Sequence, residues 1–107
     1  MLRGFTLRSK RRYVLLEYTG EGEASAEEVL SKVRLLVAKL FGLVGLADVN
    51  PDLVYSWGGK VFVVAVRREG LEKLLASLVL DRSYSMKILS VTGSLRRAKK
   101  LIASMRK

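Results

Sequence analysis

The apolar positions of this chain fall into blocks whose spacing alternates between the strand period of two and the helix period of 3.6. Arg12-Tyr13-Val14-Leu15-Leu16-Glu17-Tyr18 is rich in aromatic and branched residues and closes on the turn-prone Thr19-Gly20-Glu21-Gly22, which predicts a strand, β1. Ser25 and Glu28 form a capping box, each side chain satisfying a backbone N–H orphaned at a helix start, so a helix, α1, is expected to begin there. Val29, Val33, Leu36, Val37 and Leu40 then share one face, and Gly42 stands where a helix commonly stops. The stretch from Gly42 to Asp52 is expected to be a loop, broken by Gly45 and by Pro51, which disfavours helical geometry at Asn50.

Leu53 to Trp57 predicts β2, with Leu53, Tyr55 and Trp57 on one side. Gly58-Gly59 is a hairpin signal leading into β3, Lys60 to Val66, which is apolar at every position from Val61 onward and so is expected at the centre of a sheet. Glu69 to Leu80 predicts α2, with Leu71, Leu74, Leu75 and Leu78 on one face; Lys87 to Thr92 predicts β4. Leu95 to Met105 fits a final helix, α3. It places Leu95, Ala98, Leu101, Ile102 and Met105 on one face and Arg96, Lys99, Lys100 and Arg106 largely away from it. The order βαββαβ plus a terminal helix is that of a ferredoxin-like α+β sandwich, with β1 and β3 in the middle of the sheet. At 107 residues the chain is expected to form one domain, 1–107, burying roughly 65% of its unfolded surface. The apolar stripe of α3 is expected to pack on that domain.

Charge adds a partner class. The formal net charge is +10, and it is segregated: five Lys or Arg and no acid lie up to Leu16, and eight more, again without an acid, lie from Arg82 onward. Glu17 to Asp81 holds all ten acids against seven basic residues. A basic N-terminal arm (1–12) and a basic C-terminal helix (94–107) on a nearly neutral body suit a polyanion better than a small acidic ligand, and nucleic acid is the default polyanion.

Composition also removes classes. The chain has no cysteine and no histidine, so thiolate chemistry and the commonest general base and metal ligand are missing. The carboxylates form no recognisable catalytic or metal-binding pattern; Asp48 and Asp52 in the expected loop read as solvated. No catalytic residue, metal ligand or bound cofactor is therefore expected. The longest nearly uncharged stretch, Leu40 to Ala47, is far short of the roughly 20 residues a membrane span requires. The first residues lack a signal peptide's apolar core, so an intracellular, cytoplasmic protein is expected. One Asn, no Gln and no Cys beside abundant Lys, Arg and Glu fit a protein from a hot environment.

Two stretches carry candidate binding chemistry. The arm Arg8-Ser9-Lys10-Arg11-Arg12 is expected to grip phosphate, since Arg offers a bidentate fork and Lys a point charge, neither needing a particular base. In Thr92-Gly93-Ser94, a strand ends, a glycine permits close approach and a helix starts near hydroxyls. The free N–H groups of that helix start favour a phosphate, with Arg96, Arg97, Lys99 and Lys100 following. The RNA-recognition motif shares the predicted topology, yet its stacking aromatics are not convincingly present: β3 offers Phe62, which is at least as well read as core. Backbone or shape recognition of folded RNA is the better expectation.

Lys10-Arg11-Arg12-Tyr13-Val14-Leu15-Leu16-Glu17, Leu40-Phe41-Gly42-Leu43-Val44-Gly45-Leu46-Ala47 and Val91-Thr92-Gly93-Ser94-Leu95-Arg96-Arg97-Ala98 together resemble the archaeal ribonuclease P protein component 2 family over nearly the whole chain from Lys10. That family's last block usually reads Ser-Gly-Thr-Ile, so Thr92, Ser94 and Leu95 are conservative departures that keep the hydroxyls and the glycine. The resemblance implies an RNA-recognition-motif-like fold and a non-catalytic activator bound beside the catalytic domain of the ribonuclease P RNA, which with its magnesium ions removes the 5′ leader of precursor tRNA. It also implies a partner, the TIM-barrel-like protein subunit of that enzyme, commonly in a heterotetramer with two copies of each. Two other readings stay open on the residues alone: a different ferredoxin-like RNA-binding assembly protein, and a protein-interaction module with incidental basic tails.

Overall fold

A computed structural model of the chain describes residues 11–81 and 86–105. The predicted elements form in the predicted order: β1 (Arg11–Tyr18), α1 (Ala26–Val49), β2 (Asp52–Trp57), β3 (Val61–Arg67), α2 (Leu71–Val79), β4 (Met86–Thr92) and α3 (Leu95–Met105). The strands make one antiparallel sheet in the order β2-β3-β1-β4, which puts the all-apolar β3 and β1 in the middle, as a ferredoxin-like sandwich requires. The capping box forms as read: Ser25 Oγ accepts from the Glu28 amide at 3.1 Å, and the Ser25 amide donates to Glu28 Oε1 at 2.8 Å.

Period-two alternation sorts the central strands onto two cores. On one side Val14, Leu16, Phe62, Val64 and Val66 pack against Val29, Val33, Val37 and Val49 of α1 and Leu74 and Leu78 of α2. On the other, Leu15, Val61 and Val63 pack against Ala98 and Ile102 of α3. The apolar stripe of α3 thus lies on the sheet, covering the face that in an RNA-recognition motif would be open to single-stranded RNA. Phe62 is fully buried on the opposite side, under α1 and α2. It is core and offers no stacking surface.

Three expectations are corrected. Gly42 does leave helical geometry (φ 74°, ψ −173°), but the chain re-enters a helix and continues to Val49, so Gly42 to Asp52 is not a loop. The stop comes at Asn50, whose left-handed conformation (φ 43°, ψ 61°) caps the helix just before Pro51. The second segment is held because Val49 is buried in the core, Gly45 packs against Phe41, and Asp48 pairs with Lys73 of α2 at 3.4 Å. Gly70 makes this fit possible: a Cβ there would lie 2.5 Å from the Asp48 carbonyl and from Val49 Cα. Second, α2 begins at Leu71, because Arg68–Gly70 is a single 3₁₀ turn and not the start of the α-helix. Third, Leu53 and Tyr55 do not share a face. Leu53 pairs with Val64 and Tyr55 with Val63, so a bulge at Val54 turns Tyr55 and Trp57 toward the α3 side while Leu53 packs with α1 and α2.

Candidate nucleic-acid interface

Arg11 and Arg12 of the first basic segment and the start of the second, some eighty residues apart in sequence, meet at one end of the sheet. The antiparallel ladder pairs Tyr13 of β1 with Thr92 of β4, so the start of β1 and the end of β4 are neighbours, and α3 starts two residues beyond. Arg12 and Gly93 face each other there: a Cβ on Gly93 would sit 3.9 Å from Arg12 Nη1. Gly93 has no strained φ, so what its lack of side chain supplies is an open approach to the backbone.

The turn into α3 is fixed by its hydroxyls. Thr92 is buried and its Oγ1 donates to the Ser94 carbonyl at 2.9 Å, which commits that hydroxyl to holding the turn. Ser94 Oγ accepts from the Arg97 amide at 3.1 Å, the N-cap geometry, an interaction that contributes about 1 kcal/mol. The amides of Leu95 and Arg96 belong to the first helical turn and have no acceptor within the helix. Arg96 and Arg97 follow at once, both exposed.

Helix dipoles make this placement informative. The first turn of α1 carries Glu27 and Glu28, as the positive end of a helix favours; the first turn of α3 carries Arg96 and Arg97 and no acid. Two cations at the positive end are locally unfavourable by some tenths of a kcal/mol each at low salt, and a bound anion relieves both at once. Among the described residues Arg12, Arg96, Arg97, Lys99 and Lys100 are in no ion pair. Leu95, Arg96, Lys99, Lys100 and Ala103 line a shallow open depression along α3, and Lys99 Nζ lies 5.0 Å from the ring centroid of Tyr55.

Arg11 points to the same end but is partly engaged, 3.8 Å from Asp52 Oδ2. Arg8 and Lys10 lie outside the described residues. Arg67 was not picked out from the sequence, although the ladder sets it directly opposite Arg11. Its guanidinium donates to Glu69 Oε2 at 2.7 Å. The Glu69 carboxyl is held below its ordinary value chiefly by a hydrogen bond from its own backbone amide; desolvation opposes this, and the positive charge of Arg67 adds to the lowering. Position on the ladder, and not local sequence, makes Arg67 part of this end. No group of three or more potential metal-ligating side chains occurs among the described residues, and no helix among them is long and apolar enough to cross a membrane.

Fold and site together define a ferredoxin-like sandwich whose second face is closed by a basic helix, with its free cations gathered around that helix's first turns. A family model described as the Rpp14/Pop5 family matches residues 12–103, and the chain belongs to that family. It is 31% identical over 99 residues to ribonuclease P protein component 2 of Methanocaldococcus jannaschii, covering 88% of this chain and 73% of that protein. To the protein of the same name from Methanococcus maripaludis it is 34% identical over 86 residues (80% and 65% covered), and to that from Pyrococcus abyssi 30% over 105 residues (92% and 89%).

Proposed function

We propose that the chain is a protein subunit of ribonuclease P, the ribonucleoprotein that removes the 5′ leader from precursor tRNA. It carries no catalytic group of its own and acts by binding the RNA. The observation that carries this, within the Rpp14/Pop5 family, is the meeting of Arg12 with Gly93 and the basic first turn of α3. That arrangement grips phosphates through backbone N–H groups, guanidinium forks and the helix dipole, contacts that position folded RNA without reading its bases.

Activation follows from charge. The RNA, with its magnesium ions, supplies the chemistry near its catalytic domain, and cations brought to that domain lower the phosphate repulsion that magnesium must otherwise screen. The protein holds neither the metal nor a cofactor. Arg11 and Arg12 belong to this basic surface at the start of β1, and Arg8 and Lys10, which precede them in the sequence, add two further positive charges for the RNA.

The opposite layer suits a protein partner. A groove of about 700 Å³ between α1 and α2 is lined by Leu35, Leu36, Leu40 and Leu80, with Lys32 and Lys39 along it. Leu35, Leu43 and Val44 of α1, Val79 of α2 and Leu80 at its C-cap are each more than half exposed. Exposed apolar side chains around a groove on a charged protein suit a docking surface. We assign it to the TIM-barrel-like subunit, in a heterotetramer of two copies of each, which leaves the α3 side for RNA. The assembly works in the cytoplasm.

Binding to ribonuclease P RNA, compared with an unrelated structured RNA of equal length at the same salt, tests the reading. Preference for ribonuclease P RNA is the expected result; equal binding to both points to a general RNA-binding assembly protein instead.

A further inference from the structure

The bulge at Val54 has placed aromatic residues where the strand pattern alone would not. Tyr55 and Trp57 stand on the α3 side of β2, opposite Val63 and Val61, and β2 is an edge strand whose outer backbone has no strand partner among the described residues. Trp57 ends the strand immediately before a tight turn in which Gly58 and Gly59 both adopt positive φ (66° and 71°). It keeps 39% of its surface exposed, whereas Tyr55 is half-buried. Lys99 brings the charge of α3 to this edge through its contact with the Tyr55 ring. Lys60, beside the turn, is committed elsewhere: its Nζ donates to the Gly20 carbonyl at 3.2 Å and lies 5.4 Å from the Tyr18 ring centroid.

An exposed indole two residues along the strand from a half-buried phenol, whose ring meets the Lys99 ammonium of the basic helix, has the composition of a stacking platform for single-stranded nucleic acid. Four other exposed apolar residues differ in kind. Leu35, Leu43, Val44 and Leu80 are aliphatic and offer no π face to a base. They also lie on α1 and at the end of α2, across the sheet from α3. We propose that the Tyr55–Trp57 edge binds an unpaired nucleotide of the RNA, its base stacked on the Trp57 indole and its flanking phosphate held by Lys99. This rests on the RNA-binding reading above and adds a base-stacking subsite to a surface otherwise built for phosphates. The sheet face that α3 closes at its centre is thereby used at its edge.

Trp57 is the one tryptophan of the chain, so emission excited at the red edge, where the tyrosines do not absorb, reports on this subsite alone. The whole chain is titrated with two RNAs at equal salt, a blunt duplex and the same duplex carrying a short single-stranded tail, following emission and RNA anisotropy together. The tailed RNA is expected to bind more tightly than the duplex and to quench the emission, with little quenching by the duplex. Trp57→Ala should lower affinity for the tailed RNA by about tenfold, to that of the duplex, while Trp57→Phe keeps most of it. Tailed RNA that binds without altering emission, or that binds Trp57→Ala as it binds the unaltered chain, overturns the stacking subsite and leaves the phosphate surface standing. Failure of both RNAs to bind overturns the RNA-binding reading and the subsite with it.

Discussion

Replacing Arg96 and Arg97 together with alanine should weaken binding to ribonuclease P RNA and flatten its salt dependence by about 1.8 in the slope of log affinity against log salt, taking about 0.9 per phosphate as for duplex DNA. The two side chains sit in the first turn of α3, exposed and without an ion pair among the described residues, so their charge is available to the ligand. Alanine is a strong helix former, and removing two cations from a positive helix end helps the helix, so the fold should survive and even gain slightly. The effect is therefore separable from unfolding: a melting temperature unchanged or raised, with affinity lowered. A slope identical to that of the unaltered chain would remove these two arginines from the interface. Ser94 and Thr92 would then serve the turn alone.

Phe62→Ala is expected to cost about 3–5 kcal/mol of stability, because the side chain is fully buried between the sheet and the two helices that cover it. In a thermal melt the unaltered chain should unfold above about 65 °C, beyond the usual mesophile range, and the variant well below it. A conservative Phe62→Leu should leave RNA affinity unchanged at a temperature where both proteins are folded. That separates a core role from the base-stacking role an RNA-recognition motif would give an aromatic on β3. A loss of affinity in folded Phe62→Leu would mean that the sheet face is read differently from the packing described above.

Much of the architecture was legible because local and tertiary signals agreed. The six-residue apolar run of β3, entered through a hairpin signal, marked a central strand, and the capping box at Ser25 and the amphipathic spacing of α3 marked their elements to within a residue. The second half of α1 was hidden. Gly42 does break the helix, and the exposed Leu43 and Val44 blur the periodicity beyond it. Asn50-Pro51 carried the true stop signal, a left-handed cap followed by a residue that cannot continue a helix. The bulge at Val54 was not legible either, since a one-residue slip in pairing leaves no mark in an alternating sequence yet moves Tyr55 and Trp57 to the other face.

The site divides in the same way. Arg12, Gly93, Ser94 and the four cations of α3 were picked out as candidates by charge clustering and helix-start chemistry, and the β1–β4 ladder brings the first of them beside the start of α3. Thr92 was rightly placed at the turn, but its hydroxyl is turned to the Ser94 carbonyl. Arg67 reaches the same end through its register with Arg11, a relation that no spacing in the sequence expresses.

The most direct measurement is cleavage of a precursor tRNA by ribonuclease P RNA at limiting magnesium, with the TIM-barrel-like subunit present and this chain added or omitted. Removal of the 5′ leader should rise when the chain is added, and the rise should require the RNA and both proteins. No change on adding the chain, with RNA and barrel-like subunit shown competent alongside a homologous component 2, would contradict its role as a subunit of the enzyme.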